Sequence, residues 1–253
     1  MEVRMPVRYA PANAKLSRLA KRLGVEVYSF DMLSGVTCPG AKDCKSSALV
    51  QADGSRRIVD GKHTVFRCFS ASQEAQYDNV FDFREANTQG ALDLAASSPM
   101  KCASALVAAL PDNAAVIRMH VAGDFKILNY FDAWLEVCNR RPDLRFYAYT
   151  KMLPFWVKRR DVLPPNLALT ASRGGRWDSL IDEHGFRESV VVYSESQADD
   201  LGLDIDHDDH HAYSLTGGSF ALLIHGSQPK GSEAGKAVRA LAGKGSYNRK
   251  VKV

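Results

Sequence analysis

Hydrophobic and polar positions in this chain change period repeatedly, and the changes predict alternating strands and helices. "NAKLSRLAKRLG" has apolar positions at helical spacing and a terminal glycine, and leads into "VEVYSF", a short strand rich in β-branched and aromatic residues. Residues 85–110, ending "CASALVAAL", have a helical pattern that Pro99 must begin or break. A regular series follows: strand "VIRMHV", helix "NYFDAWLEVCNRR", strand "RFYAYT", a helix near "PFWVKRR", strand "LALTAS", helix "WDSLIDEHG", strand "SVVVYS", helix "ESQADDLG" and strand "FALLIH". Six strands joined mostly by helices predict an α/β fold with parallel strands, TIM-barrel-like, as a complete or partial (βα) barrel. A doubly wound open sheet fits the same pattern.

Between the first two strands the pattern breaks. Residues 34–72 hold Cys38, Cys44 and Cys68, and two Asp-Gly pairs, Asp53-Gly54 and Asp60-Gly61, flank "SRRIV" ahead of "HTVFRCF". This predicts a small two-turn β excursion that brings Cys68 back towards Cys38. With no repeat and no long linker, residues 1–243 read as one domain and the basic stretch 244–253 as a tail.

Composition narrows the class. The 253 residues are 45% hydrophobic and 25% charged, within the globular range, and a net charge of +4 permits nucleic acid as a partner without requiring it. No apolar signal region and no run of about 18 apolar residues is present, so a cytoplasmic protein without a membrane partner is expected. Five cysteines without a secretion signal argue against a disulfide framework and for reduced thiols.

In parallel β/α folds the working groups gather at the carboxyl ends of the strands. Here those ends deliver the cysteine loop, His120 and Asp124, Lys151, Arg173, Glu195 and His225. His120 oriented by Asp124 is the candidate proton-moving pair, and Lys151, Arg173, Glu195 and His225 are candidate binding groups for an anionic small molecule or nucleotide. Thiolates suit zinc or iron-sulfur clusters. Five residues separate Cys38 from Cys44, wider than a zinc knuckle, and 23 separate Cys44 from Cys68. A [4Fe-4S] cluster on the three, with one iron open to a cavity, is the leading cofactor. Zinc held by the same cysteines and His63, in a non-catalytic module binding nucleic acid or a host protein, is the alternative. Cys102 and Cys138 lie in apolar helical contexts and read as core.

"TCPGAKDC", "FRCFSASQ", "RMHVAGDF", "FYAYTK" and "IHGSQPKGS" together resemble the gene product 88-like family of actinobacteriophage and bacterial proteins over most of the chain. That resemblance implies a phage-type protein, placed in the cytoplasm of the bacterial host when phage-encoded. By architecture alone, a cluster loop after the first strand of six β/α units also resembles the radical S-adenosylmethionine enzymes. Their three-cysteine motif, with three and then two intervening residues, is absent, so S-adenosylmethionine is compatible with the architecture and unsupported by motif. "PKGSEAGKA" lacks phosphate-loop spacing, and "LDIDHDDHHAY" fails the calcium-loop pattern and reads as a solvated acidic loop in which His207, His210 and His211 are available to a metal.

Overall fold

The computed structural model describes residues 7–242, so the 244–253 tail lies outside the described residues. Six parallel strands, β2 (Val27–Phe30), β5 (Val116–Met119), β6 (Arg145–Thr150), β7 (Leu167–Ser172), β8 (Glu188–Val192) and β9 (Phe220–Leu223), lie side by side in chain order. A two-residue strand β1 (Ala10–Pro11) adds antiparallel to β2. The order never reverses, so the doubly wound alternative is not formed. Among the described residues β9 does not pair with the first strands either: the seven-stranded sheet stays open, and the complete barrel is not formed.

Side chains alternate between two apolar clusters, as the period of two requires. One face presents Phe30, Ile117, Met119, Phe146 and Leu169 to a cluster built with α3 (Asp78–Ser97), α4 (Pro99–Ala108), α5 (Leu128–Arg140), α6 (Leu153–Arg159) and α7 (Ser179–His184). The other presents Val27, Val116, Tyr147, Ala168 and Phe220 to Leu16 and Leu19 of α1 (Ala14–Leu23) and Ala212 of α9 (His210–Tyr213). Local chemistry sets the ends of these helices. The Asn13 side chain accepts from Lys15 N and Leu16 N, Gly24 closes α1 with φ 69, and Pro99 opens α4 rather than breaking it.

The β excursion exists with a different partner from the one expected. β3 (Ser46–Val50) pairs antiparallel with β4 (Arg56–Asp60), and Asp53-Gly54 makes the turn, with Gly54 at φ 82. "HTVFRCF" forms no strand; it leads into α2 (Phe69–Gln76) with Cys68 at the N-cap. The remaining helices are α8 (Glu195–Asp200), after β8, and α10 (Glu233–Ala240), after β9. Among the described residues no helix is long and apolar enough to cross a membrane.

Candidate functional site

A cavity of about 500 Å³ opens at the carboxyl ends of the strands, and Cys38, Cys44 and Cys68 all line it. Each of the three is partly buried and unpaired, whereas Cys102 and Cys138 are buried in the helical cluster away from the cavity. The segment carrying Cys38 and Cys44 is tied down on both sides. Lys45 Nζ donates to the Gly35 and Cys38 carbonyls at 2.5 and 2.8 Å, and Lys42 N and Asp43 N donate to Gly174 O beyond β7. Beneath it, Ser34 N and Oγ donate to Glu74 at 2.9 and 2.7 Å, and Glu74 pairs at 3.0 Å with buried Arg84. Burial pushes the Glu74 carboxyl above its ordinary range, opposed by Arg84.

Cys68 is held from three directions. Its N–H donates to Ser46 Oγ at 3.3 Å, while Gln228 accepts from Arg67 N at 2.7 Å and donates to the Arg67 and His225 carbonyls. Gly226, at φ 80, completes the contact: a Cβ there would lie 2.6 Å from Phe69 Cβ, so only glycine lets the end of β9 approach this closely. Burial raises the Cys38 thiol, followed by Asp124 and the sulfurs of Cys68 and Cys44. Burial also pushes the Cys68 thiol up to about 11, with Cys44 adding to the shift and the backbone amides of Ala71 and Ser70 opposing it. The three sulfurs therefore share one electrostatic neighbourhood, and their protons must leave when a metal binds.

The other expected residues divide. His225 lines the cavity beside Phe69, with ring centroids 4.5 Å apart. Asp124 also lines it, buried, with its carboxylate accepting from Thr150 Oγ1 at 2.6 Å, Lys151 N at 2.8 Å and Phe125 N at 2.7 Å. Burial pushes its pKa up despite these donors. Lys151 borders the same space, but its ammonium is spent on Ser172 O, Ser172 Oγ and Arg173 O at 2.7 to 2.9 Å, pinning β6 to β7.

His120 also lines the cavity, but Asp124 does not orient it. The His120 Nε2 meets Tyr130 Oη at 2.9 Å, and the ring packs between Phe125 and Trp134. Its backbone sits at φ 64, a left-handed conformation uncommon outside glycine, which ends the alternation of β5. Arg173 is not in the cavity lining: it pairs with Glu188 and, at 2.8 Å, with Asp182. Glu195 is exposed at the start of α8 and also lies outside the lining, as does exposed His63.

Sequence reasoning missed the cationic wall. Arg118 of β5 and Lys15 of α1 line the cavity and both pair with Asp209, Lys15 at 2.5 Å. Asp209 is fully buried at φ 67 and also accepts from Tyr147 Oη at 3.0 Å and Tyr149 Oη at 2.9 Å. Burial alone would raise its pKa; Arg118 and Lys15 outweigh burial and hold it well below the usual carboxylate range. Arg118 lies over the Tyr149 ring at 4.9 Å, and its buried Nε has no partner. The "LDIDHDDHHAY" segment is therefore not simply a solvated loop, since Asp206 and Asp209 are both buried.

Histidine burial gives a pH signature. Desolvation, then Arg118, pulls His120 down to about 3, and desolvation, then Lys15 and Arg118, pulls His225 down to about 4. Both folded values lie below the ordinary 6.5, so the unfolded chain binds more protons between those limits, and stability is full above about pH 6.5 and declines as pH falls. Each such proton adds a slope of up to about 1.4 kcal/mol per pH unit. Denaturant unfolding between pH 4 and 8 should show this decline, and His120→Asn, which suits a left-handed backbone, should make it shallower. An unchanged slope would refute the assignment to His120.

The gene product 88 family model matches residues 7–243, and the chain belongs to that family. No curated protein and no solved structure matches this chain.

Proposed function

We propose that this member of the gene product 88 family binds a [4Fe-4S] cluster through Cys38, Cys44 and Cys68, with one iron facing a cavity for an anionic small molecule or nucleotide. The observation that carries the proposal is that these three thiols, two from the loop after β2 and one from the N-cap of α2, line one cavity at the carboxyl end of a singly wound parallel sheet, whereas the other two cysteines do not. In this reading the open sheet is a partial (βα) barrel.

The donor set fits the group. The ligands are soft thiols, the donors that iron-sulfur clusters take. A single tetrahedral zinc ion would hold its sulfurs about 3.8 Å apart, from zinc–sulfur bonds of about 2.3 Å. Among the described residues, the group of three or more donors with atoms all within 4.8 Å of one another is Asp206, His210 and His211, not the cysteines. A cube spreads its ligands over separate irons and so suits a wider set. The zinc alternative also needs His63, which is exposed and outside the cavity lining.

When bound, the cluster would supply electron transfer or Lewis acidity at its open iron. The chain would supply the rest. Arg118, with Lys15 and His225, gives the wall a cationic and imidazole character suited to a phosphate or carboxylate. Asp124, beside Cys38, disfavours extra negative charge at that sulfur. Redox or radical chemistry on the ligand is the reaction class such a site would serve. S-adenosylmethionine is not part of the proposal, because the motif that marks its users is absent.

Anaerobic purification, with iron, sulfide and zinc analysis and an optical spectrum, tests this. Wild type should carry iron and sulfide with broad sulfur-to-iron absorption, Cys68→Ala should lose nearly all of it, and His63→Ala should keep it. Zinc without sulfide, lost in His63→Ala, would replace the proposal with the Cys3His module.

A further inference from the structure

We infer that Asp206, His210 and His211 form a second metal site, for a divalent transition ion such as Zn2+, beside the amino-terminal ends of β8 and β9. Donor atoms of the three lie within 4.8 Å of one another. The position is remote from the thiols. Asp206 N donates to Ala221 O at the start of β9, and Arg187, just before β8, donates to the His211 and Ala212 carbonyls at 3.2 Å.

Two orphaned atoms point to a ligand. Asp206 is 1% exposed, yet its Oδ2 has no hydrogen-bond partner, and His211 Nδ1 is likewise buried and unpartnered. Buried polar atoms are seldom left unsatisfied, so a bound cation is their natural complement. The surroundings are already arranged. Asp208 N donates to Asp206 Oδ1 at 3.1 Å, and His211 stacks on Phe220 with centroids 5.5 Å apart. Asp208 Oδ1 stands 2.6 Å from His210 Nδ1, the carboxylate–imidazole contact that fixes a ligating histidine.

Two imidazoles and one carboxylate suit zinc or ferrous iron rather than magnesium or calcium, which prefer all-oxygen shells. Three protein donors leave a coordination position for water. The ligands bracket Asp209, the partner of Lys15 and Arg118, so an ion here would clamp the segment that holds the cavity's cationic wall.

The test uses the full chain stripped by chelator and titrated with Co2+ under reducing conditions, with Zn2+ melts in parallel. The expected result is visible cobalt absorption without a sulfur charge-transfer band, retained when Cys38 and Cys68 are both changed to serine, and a melting point raised by Zn2+ in that double-serine variant. His211→Gln and Asp206→Asn should each weaken Co2+ binding by at least the roughly 10–100-fold that losing even an outer-shell partner costs. Asp206→Asn keeps the acceptor for Asp208 N, so it serves where His211→Gln fails to fold. Folded variants that bind Co2+ as wild type does, or a double-serine protein that Zn2+ does not stabilise, would overturn the inference. Neither outcome depends on the cluster proposal.

Discussion

Asp209→Asn will destabilise the fold by about 3–5 kcal/mol, because it takes a fully buried carboxylate away from two largely buried cations while changing almost nothing else. Arg118 and Lys15 both rely on this fully buried carboxylate, with two tyrosine hydroxyls completing its shell. Asparagine matches aspartate in shape and tolerates the φ of 67, so backbone strain does not confuse the comparison. For a chain of this size the loss amounts to a fall in Tm on the order of 10 °C. Thermal unfolding measures it, and the double variant Asp209→Asn with Arg118→Met supplies the check. Removing the stranded guanidinium should recover part of the loss. A single variant that melts within about 2 °C of wild type, under 1 kcal/mol, would show that the network is not the structural centre proposed.

That network was invisible in the sequence for a physical reason. Arg118 sits in the middle of an apolar strand, and its partner is 91 residues away in a segment dense with aspartate and histidine. Nothing local distinguishes the aspartate that folds inward from neighbours that stay wet. The six parallel strands were legible because each is a short β-branched or aromatic run followed by a helical pattern, and strands covered on both faces leave that signal strong. The hairpin was half legible. Asp53-Gly54 marks the turn, but Ser46-Ser47-Ala48 is a weak strand signal beside the more apolar "HTVFRCF". Val65 and Phe66 are instead held by backbone bonds to Asp43 O, which no periodicity announces.

The candidate site divides along the same line. The three loop cysteines, His120, Asp124, Lys151 and His225 are legible because strand ends are positions in the sequence, and all of them do line the cavity. Whether an ionisable group at such an end is free depends on what tertiary packing sets beside it. Lys151 meets three acceptors at the end of β7, and Arg173 meets two carboxylates, neither contact being encoded near those residues. The His120 ring went to Tyr130 because its left-handed backbone redirects it, a feature histidine does not advertise.

Gly40→Ala should separate the cysteine loop from the rest of the fold. A Cβ at Gly40 would lie 2.5 Å from Lys151 O and 2.8 Å from Lys151 C, and that backbone cannot yield, because Lys151 N is bonded to buried Asp124 and Lys151 Nζ to β7. The loop must therefore move, and with it Cys38, two residues earlier, and Cys44. Overpacking of this kind costs about 1–3 kcal/mol. The matched control is Gly54→Ala in the hairpin turn, where nothing lies within 4 Å but φ is 82. Left-handed strain there costs roughly 1–2 kcal/mol, a similar loss of stability with no displacement of the cysteines. Iron and sulfide content after anaerobic reconstitution should then fall severalfold in Gly40→Ala and hold at the wild-type level in Gly54→Ala. Equal losses in both would trace the effect to stability alone, and undiminished loading in Gly40→Ala would mean that the docking of this loop on Lys151 does not position the thiols for a cluster.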